Sequence, residues 1–261
     1  MKLGIVTYMI AAEWDIDTII KKCEELGYSG VELRTTHKHG VETSLSKSER
    51  KKVKKKFENS SVKLVGLGST FEYHANDTKI LRDNIEGTKE YIILAKDVGA
   101  EGVKVRPNAF PSEVSKEKTI EQIGLSLREV SSFGADYGIK IRLEVHGAGT
   151  SHPPYIKQMV DIADHPNLYV CWNSNMSDLD EQGSIEKHFD MLKHKIEIAH
   201  INELWNEYPW LTLFKLLKSI NFSGFCLAEI LGNPEPERIL RYYKALFDAY
   251  QKIVEMEKGG T

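Results

Sequence analysis

The feature that most narrows what this chain can fold into is the regularity of its alternation between short strand-like runs and longer helical ones. Lys2–Val6, Gly30–Arg34, Val62–Leu67, Gly102–Val105, the first half of Ile141–Pro154, Leu168–Trp172, Ile196–Ile201 and Gly224–Glu229 read as strands. Asp15–Leu26, Leu45–Asn59, Thr78–Val98, Lys116–Tyr137, Tyr155–Ala163, Ser184–His194, Trp210–Ser219 and Glu235–Met256 read as the helices that follow them. Eight strand–helix units in a chain of 261 residues fit a closed (β/α)8 barrel better than an open sheet. With no linker-like or low-complexity tract, residues 1–261 are expected to form one domain.

Loop lengths place the functional end. Helix-to-strand links are short: Gly27–Gly30, Gly99–Gly102, His165–Asn167 and Asn221–Gly224. Strand-to-helix links are long: Gly68–Asp77, Arg106–Val114, His146–Pro154, Asn173–Gly183 and Asn202–Pro209. In such a barrel the long links crown the C-terminal mouth, where active sites sit. Ile141–Pro154 is the most telling stretch. Ile141, Leu143 and Val145 alternate with Arg142, Glu144 and His146, so one strand face carries three ionisable groups. Burying them is costly unless they are paired or hold a ligand.

The same period-two sorting turns Glu32 and Arg34, Lys104 and Arg106, Cys171 and Asn173, His200 and Asn202, and Glu229 towards the barrel axis. Barrel interiors are ordinarily layered with branched aliphatics. Glu32, Arg34, Lys104 and Arg142 are read as an ion-pair network. Arg106, Glu144, His146, His200 and Glu229, nearer the strand ends, are read as a site.

At LEVHG (Leu143–Gly147), AHINEL (Ala199–Leu204), LAEI (Leu227–Ile230) and GVELR (Gly30–Arg34) the chain resembles the xylose isomerase-like TIM-barrel superfamily, with its sugar phosphate isomerases and epimerases. The resemblance implies one divalent metal ion, Mn, Mg or Zn, held by Glu144, the position of Asn173, His200 and Glu229. It also implies a sugar or sugar-phosphate substrate and an enediolate formed and quenched by Glu144 and Glu229 as paired acid and base. Arg106, His146, His152 in SHPP, Asn175 and Glu203 of the H-x-x-E run are the expected substrate contacts. The family's D-x-x-H falls on Asn173-Ser174-Asn175-Met176, so an aspartate ligand is replaced by a neutral amide and metal binding is expected to be weak.

Two other readings stay open: a sugar-binding barrel with a degenerate site, and an apurinic-site endonuclease-like metal hydrolase. Net charge of −3 argues against polyanion binding. The lysine run at Lys51–Lys56 reads as the solvated face of an outer helix, since Val53 and Phe57 supply its apolar positions. Cys23, Cys171 and Cys226 form no metal or disulfide pattern, and no apolar run reaches membrane length. A cytoplasmic protein with a small-molecule partner is expected, without nucleic acid or membrane; a homo-oligomer is compatible with the sequence.

Overall fold

A computed structural model describes residues 1–257. Its strands are β1 (Lys2–Val6), β2 (Gly30–Arg34), β3 (Lys63–Glu72), β4 (Gly102–Arg106), β5 (Lys140–Glu144), β6 (Leu168–Asn173), β7 (Ile196–Ile201) and β8 (Phe225–Ala228). The helices following them are α1 (Ile16–Leu26), α2 (Lys47–Glu58), α3 (Thr78–Val98), α4 (Lys116–Tyr137), α5 (Pro153–Ala163), α6 (Glu186–Leu192), α7 (Trp210–Ser219) and α8 (Pro236–Met256). All strands pair in parallel in chain order, and β8 closes onto β1 through Lys2–Phe225 to Ile5–Ala228. The (β/α)8 TIM barrel expected from the alternation is the architecture observed.

Local side-chain caps set the starts of four helices. Asp15 accepts a hydrogen bond from the Thr18 amide, Asp77 from those of Lys79 and Ile80, and Ser115 from that of Lys118. Leu45 lies outside α2 because Ser46 is the cap, in a reciprocal box with Glu49. That helix buries only Val53 and Phe57, so its lysines stand on the outer face. Strand β3 runs five residues beyond the expected Leu67 to Glu72, because its pairing with β4 skips from Gly68–Lys104 to Glu72–Arg106.

The barrel interior has two levels of different character. An apolar plug of Val6, Val65, Cys171, Ile198, Phe225 and Leu227 fills it. Arg142 on β5 enters the axis as its alternation requires, but pairs with Glu197 through Nε and Nη2 and donates Nη1 to the Val65 carbonyl at 2.8 Å. Lys140 reaches the same Glu197 at 2.8 Å. Two glycines of β3 make room for these side chains. A Cβ at Gly66 would lie 2.6 Å from Arg142 Nη1, and one at Gly68 would lie 2.9 Å from Glu32 Oε1. The ionisable groups above this level form the site.

Candidate active site

Five strands bring the upper layer together from both sides of the barrel. Glu32 comes from β2, Lys104 from β4, Glu144 from the end of β5, Asn173 from the end of β6 and His200 from β7. Glu229 follows β8 by one residue, and its amide is held by the Ile201 carbonyl at 3.0 Å. Glu32 and His200 are fully buried; Lys104, Glu144 and Asn173 are nearly so. Above them opens a cavity of about 250 Å³ lined by Tyr8, Arg34, Lys104, Arg106, Glu144, His146, Asn173, Asn175, Asn202 and Glu229.

His200 is the hub. Its Nε2 lies 3.2 Å from Glu32 Oε1, and its Nδ1 lies 3.5 Å from both Glu144 Oε1 and Glu229 Oε2. None of these contacts has hydrogen-bond geometry, so both ring nitrogens, both Glu32 oxygens and Asn173 Oδ1 are buried without a partner. Native interiors rarely leave such groups unpaired, and a cluster of them signals a missing ion or ligand. Ligand atoms of Glu144, His200 and Glu229 lie within 4.8 Å of one another, a spacing that one cation can span. Glu32 behind the ring supplies the carboxylate that commonly orients a ligating histidine. The donor set therefore fits a divalent metal ion.

Lys104 complicates that fit. Its Nζ donates to Glu144 Oε2 at 2.6 Å, while Asn173 Nδ2 donates to Glu144 Oε1 at 3.3 Å. Burial disfavours charge on Lys104, but Glu144, Glu32 and Glu229 outweigh it and hold the ammonium above the usual lysine value. Burial likewise opposes ionisation of Glu144, and Lys104 and His200 overcome it, leaving the carboxyl well below its usual range. His200 is raised despite burial, with Cys171 and the carboxylates of Glu229 and Glu32 around it. Surroundings that favour a proton on this ring favour any cation beside it. His146 is displaced the other way, its burial favouring the neutral ring.

The chain matches a known family. A family model for the xylose isomerase-like TIM barrel covers residues 20–247. The chain belongs to this family. Among solved structures it resembles the IolI protein with a bound zinc atom, at 19% identity and TM-score 0.75, covering 98% of this chain and 97% of that one. It also resembles L-ribulose 3-epimerase, at 11% identity and TM-score 0.83, covering 99% and 97%. A third is apo 3-keto-D-glucoside 4-epimerase YcjR from E. coli, at 14% identity and TM-score 0.79, covering 95% and 99%. No curated protein matches the chain.

Within this member of the xylose isomerase-like family, most residues expected at the site lie together. Glu144, Asn173, His200 and Glu229 form the cluster or its edge, and Arg106, His146 and Asn175 line the cavity. Arg106 is half engaged: Nη2 donates to Glu72 at 3.2 Å and to the Thr70 carbonyl at 3.4 Å, while Nε is left without a partner. Asn175 spends its side-chain amide on the Val145 carbonyl and its backbone on Asp178 Oδ2 at 2.9 Å. It shapes the turn after β6 as well as the cavity wall.

Two expected contacts are elsewhere. His152 stands at the N-cap position of α5 without a side-chain cap bond and packs edge-on against His188 and Tyr155, with ring centroids 5.1 and 5.5 Å away. Glu203 does not line the cavity; it accepts a hydrogen bond from Trp205 Nε1 at 3.1 Å. Both lie in loops, where the strand alternation that locates inward residues no longer holds. Of the residues read as an ion-pair network, Lys104 does pair with Glu144, and Glu32 faces His200; Lys104 and Arg34 also line the cavity. Arg142 keeps its ion pair, with Glu197, below the cavity. Tyr8 was missed, although it continues the inward phase of Gly4 and Val6 past the end of β1. Of the loop aromatics, Tyr208 and Trp210 pack on each other with centroids 4.6 Å apart, and Tyr208 donates to buried Asp178 at 2.8 Å. Trp205 is 77% exposed.

Proposed function

We propose that this barrel is an isomerase or epimerase of a sugar or sugar phosphate, with one divalent metal ion held by Glu144, Asn173, His200 and Glu229. The observation that carries the reading is the His200 ring, set among three carboxylates with both nitrogens unpartnered. When bound, the metal supplies Lewis acidity that stabilises negative charge developing on adjacent substrate oxygens.

The residues of the chain do the rest. Glu144, held ionised beside Lys104, is equipped to take a proton from the carbon next to a carbonyl. Glu229, from β8, is its counterpart for returning one, which makes the pair a general acid–base couple. Glu32 stands behind the His200 ring, its Oε1 3.2 Å from Nε2. Asn202 bridges to the loop after β6, its Nδ2 donating to the Ser174 carbonyl at 2.7 Å, and so holds the cavity wall. Arg34 and Arg106 give one side of the cavity a positive lining suited to a phosphate or carboxylate. A cavity of about 250 Å³ admits a single sugar. The single metal-spaced cluster found among the described residues supports one ion, not the several that an endonuclease-like hydrolase needs. The partner proposed is thus a small molecule.

A barrel that binds a sugar without turning it over is the second reading, and Asn173 in place of an aspartate favours it. Proton exchange separates the two. Incubated in D2O with Mn²⁺ and a panel of ketoses and ketose phosphates, the wild type should wash deuterium into the carbon beside the carbonyl of its substrate. Glu144→Gln and Glu229→Gln should each lower that rate by about 10²–10⁴-fold. A sugar that binds, seen by ligand-detected NMR, without exchange under any metal condition would establish the second reading.

A further inference from the structure

Lys104 stands at the bottom of the cavity where only a ligand-binding role or a counter-charge explains it. It is the only buried lysine among the described residues, its Nζ is 2.6 Å from Glu144 Oε2, and the carboxylates of Glu32 and Glu229 act on it as well. Glu144 is also the residue whose other oxygen points to His200 Nδ1 at 3.5 Å. One carboxylate is therefore shared between an ammonium that is part of the chain and the place where a metal would sit.

We propose that Lys104 is a built-in cation that competes with the divalent metal for Glu144, and that this lysine, together with the neutral Asn173, sets how weakly the metal is held. The inference rests on the metal-site reading above. Its physical basis is charge balance. Glu32, Glu144 and Glu229 carry three formal negative charges, and Lys104 cancels one of them before any ion arrives. A divalent ion entering beside His200 meets a like charge within the same poorly screened cavity. It binds only by drawing Glu144 Oε2 away from Lys104 or by sharing the carboxylate with it. Without a metal, the same ammonium keeps Glu144 paired, so the barrel interior tolerates the empty state.

Calorimetric titration with Mn²⁺ alone tests this without any assay of turnover. Lys104→Met, close in volume, should bind Mn²⁺ about tenfold more tightly than wild type or better, because a repelling charge is gone. Lys104→Arg keeps the charge and should stay as weak as wild type. If Lys104→Met fails to fold, Lys104→Gln, which leaves a polar group against Glu144, provides the same comparison, with circular dichroism confirming its fold. Asn173→Asp serves as the internal standard for the site. If it tightens Mn²⁺ binding while the neutral Lys104 variants bind no better than wild type, the competition is disproved and the metal site stands. If none of the proteins binds Mn²⁺, the metal-site reading falls and the competition with it.

Discussion

Two buried ionic clusters share the inside of this barrel, and their difference separates support from function. In the lower one, Arg142 is wholly buried, yet every guanidinium nitrogen has a partner: Nε and Nη2 on Glu197, Nη1 on the Val65 carbonyl. Lys140 completes Glu197. In the upper one, at the strand ends, Glu32, Asn173 and His200 are as deeply buried, but five of their polar atoms are unpaired. A charge cluster that satisfies itself has nothing left for a ligand; one that does not is waiting for something to complete it. Both clusters contain inward-facing Arg, Lys and Glu at the same alternation phase, so only the contacts distinguish them.

Removing one member from each cluster should have opposite signatures. Arg142→Met leaves Glu197 without its main partner and should cost the fold about 3 kcal/mol, at the low end for a broken buried pair because Glu197 keeps some solvent access. Chemical denaturation should show that loss while the folded fraction keeps wild-type Mn²⁺ affinity. Loss of metal binding without loss of stability would invert the comparison. Glu32→Gln should behave the other way. Its carboxylate faces His200 Nε2 at 3.2 Å and has no hydrogen-bond partner to lose, so the expected effect is a 10–100-fold weaker Mn²⁺ affinity with a nearly unchanged unfolding midpoint. A variant that melts far below wild type yet binds metal normally would move Glu32 to the structural side.

How much of this was legible in the sequence follows from geometry. Period-two alternation told which way Glu144, His200 and Glu229 point, because each lies on a strand or one residue past its end. The same rule put Glu32 and Lys104 inside, but gave no partner: Glu32 meets His200 across the axis from β2 to β7, and no local pattern records a contact across a barrel. In the sequence they group with Arg142 because they stand further from the strand ends than Arg106, Glu144 or His200. His152 and Glu203 lie away from the cavity lining for a related reason. Loop backbone has no fixed alternation, and each side chain found a local partner instead, His152 its neighbouring rings and Glu203 the indole of Trp205. Asn173 and Asn175 looked alike in the run after β6, but only Asn173 has a buried oxygen unpartnered, while Asn175 is committed to the turn.

The central claim is that the upper cluster is a site for one metal ion, made weak by Asn173. Titration of Mn²⁺ into wild type and Asn173→Asp, followed by calorimetry, tests it most directly. One ion per chain is expected in both proteins, about tenfold tighter or more with the aspartate, since one formal charge is added beside the ion. Glu144→Gln should abolish the binding. If wild type and Asn173→Asp both fail to bind a divalent metal at millimolar concentration, the unpaired atoms around His200 are not a metal site, and the sugar-binding reading takes precedence.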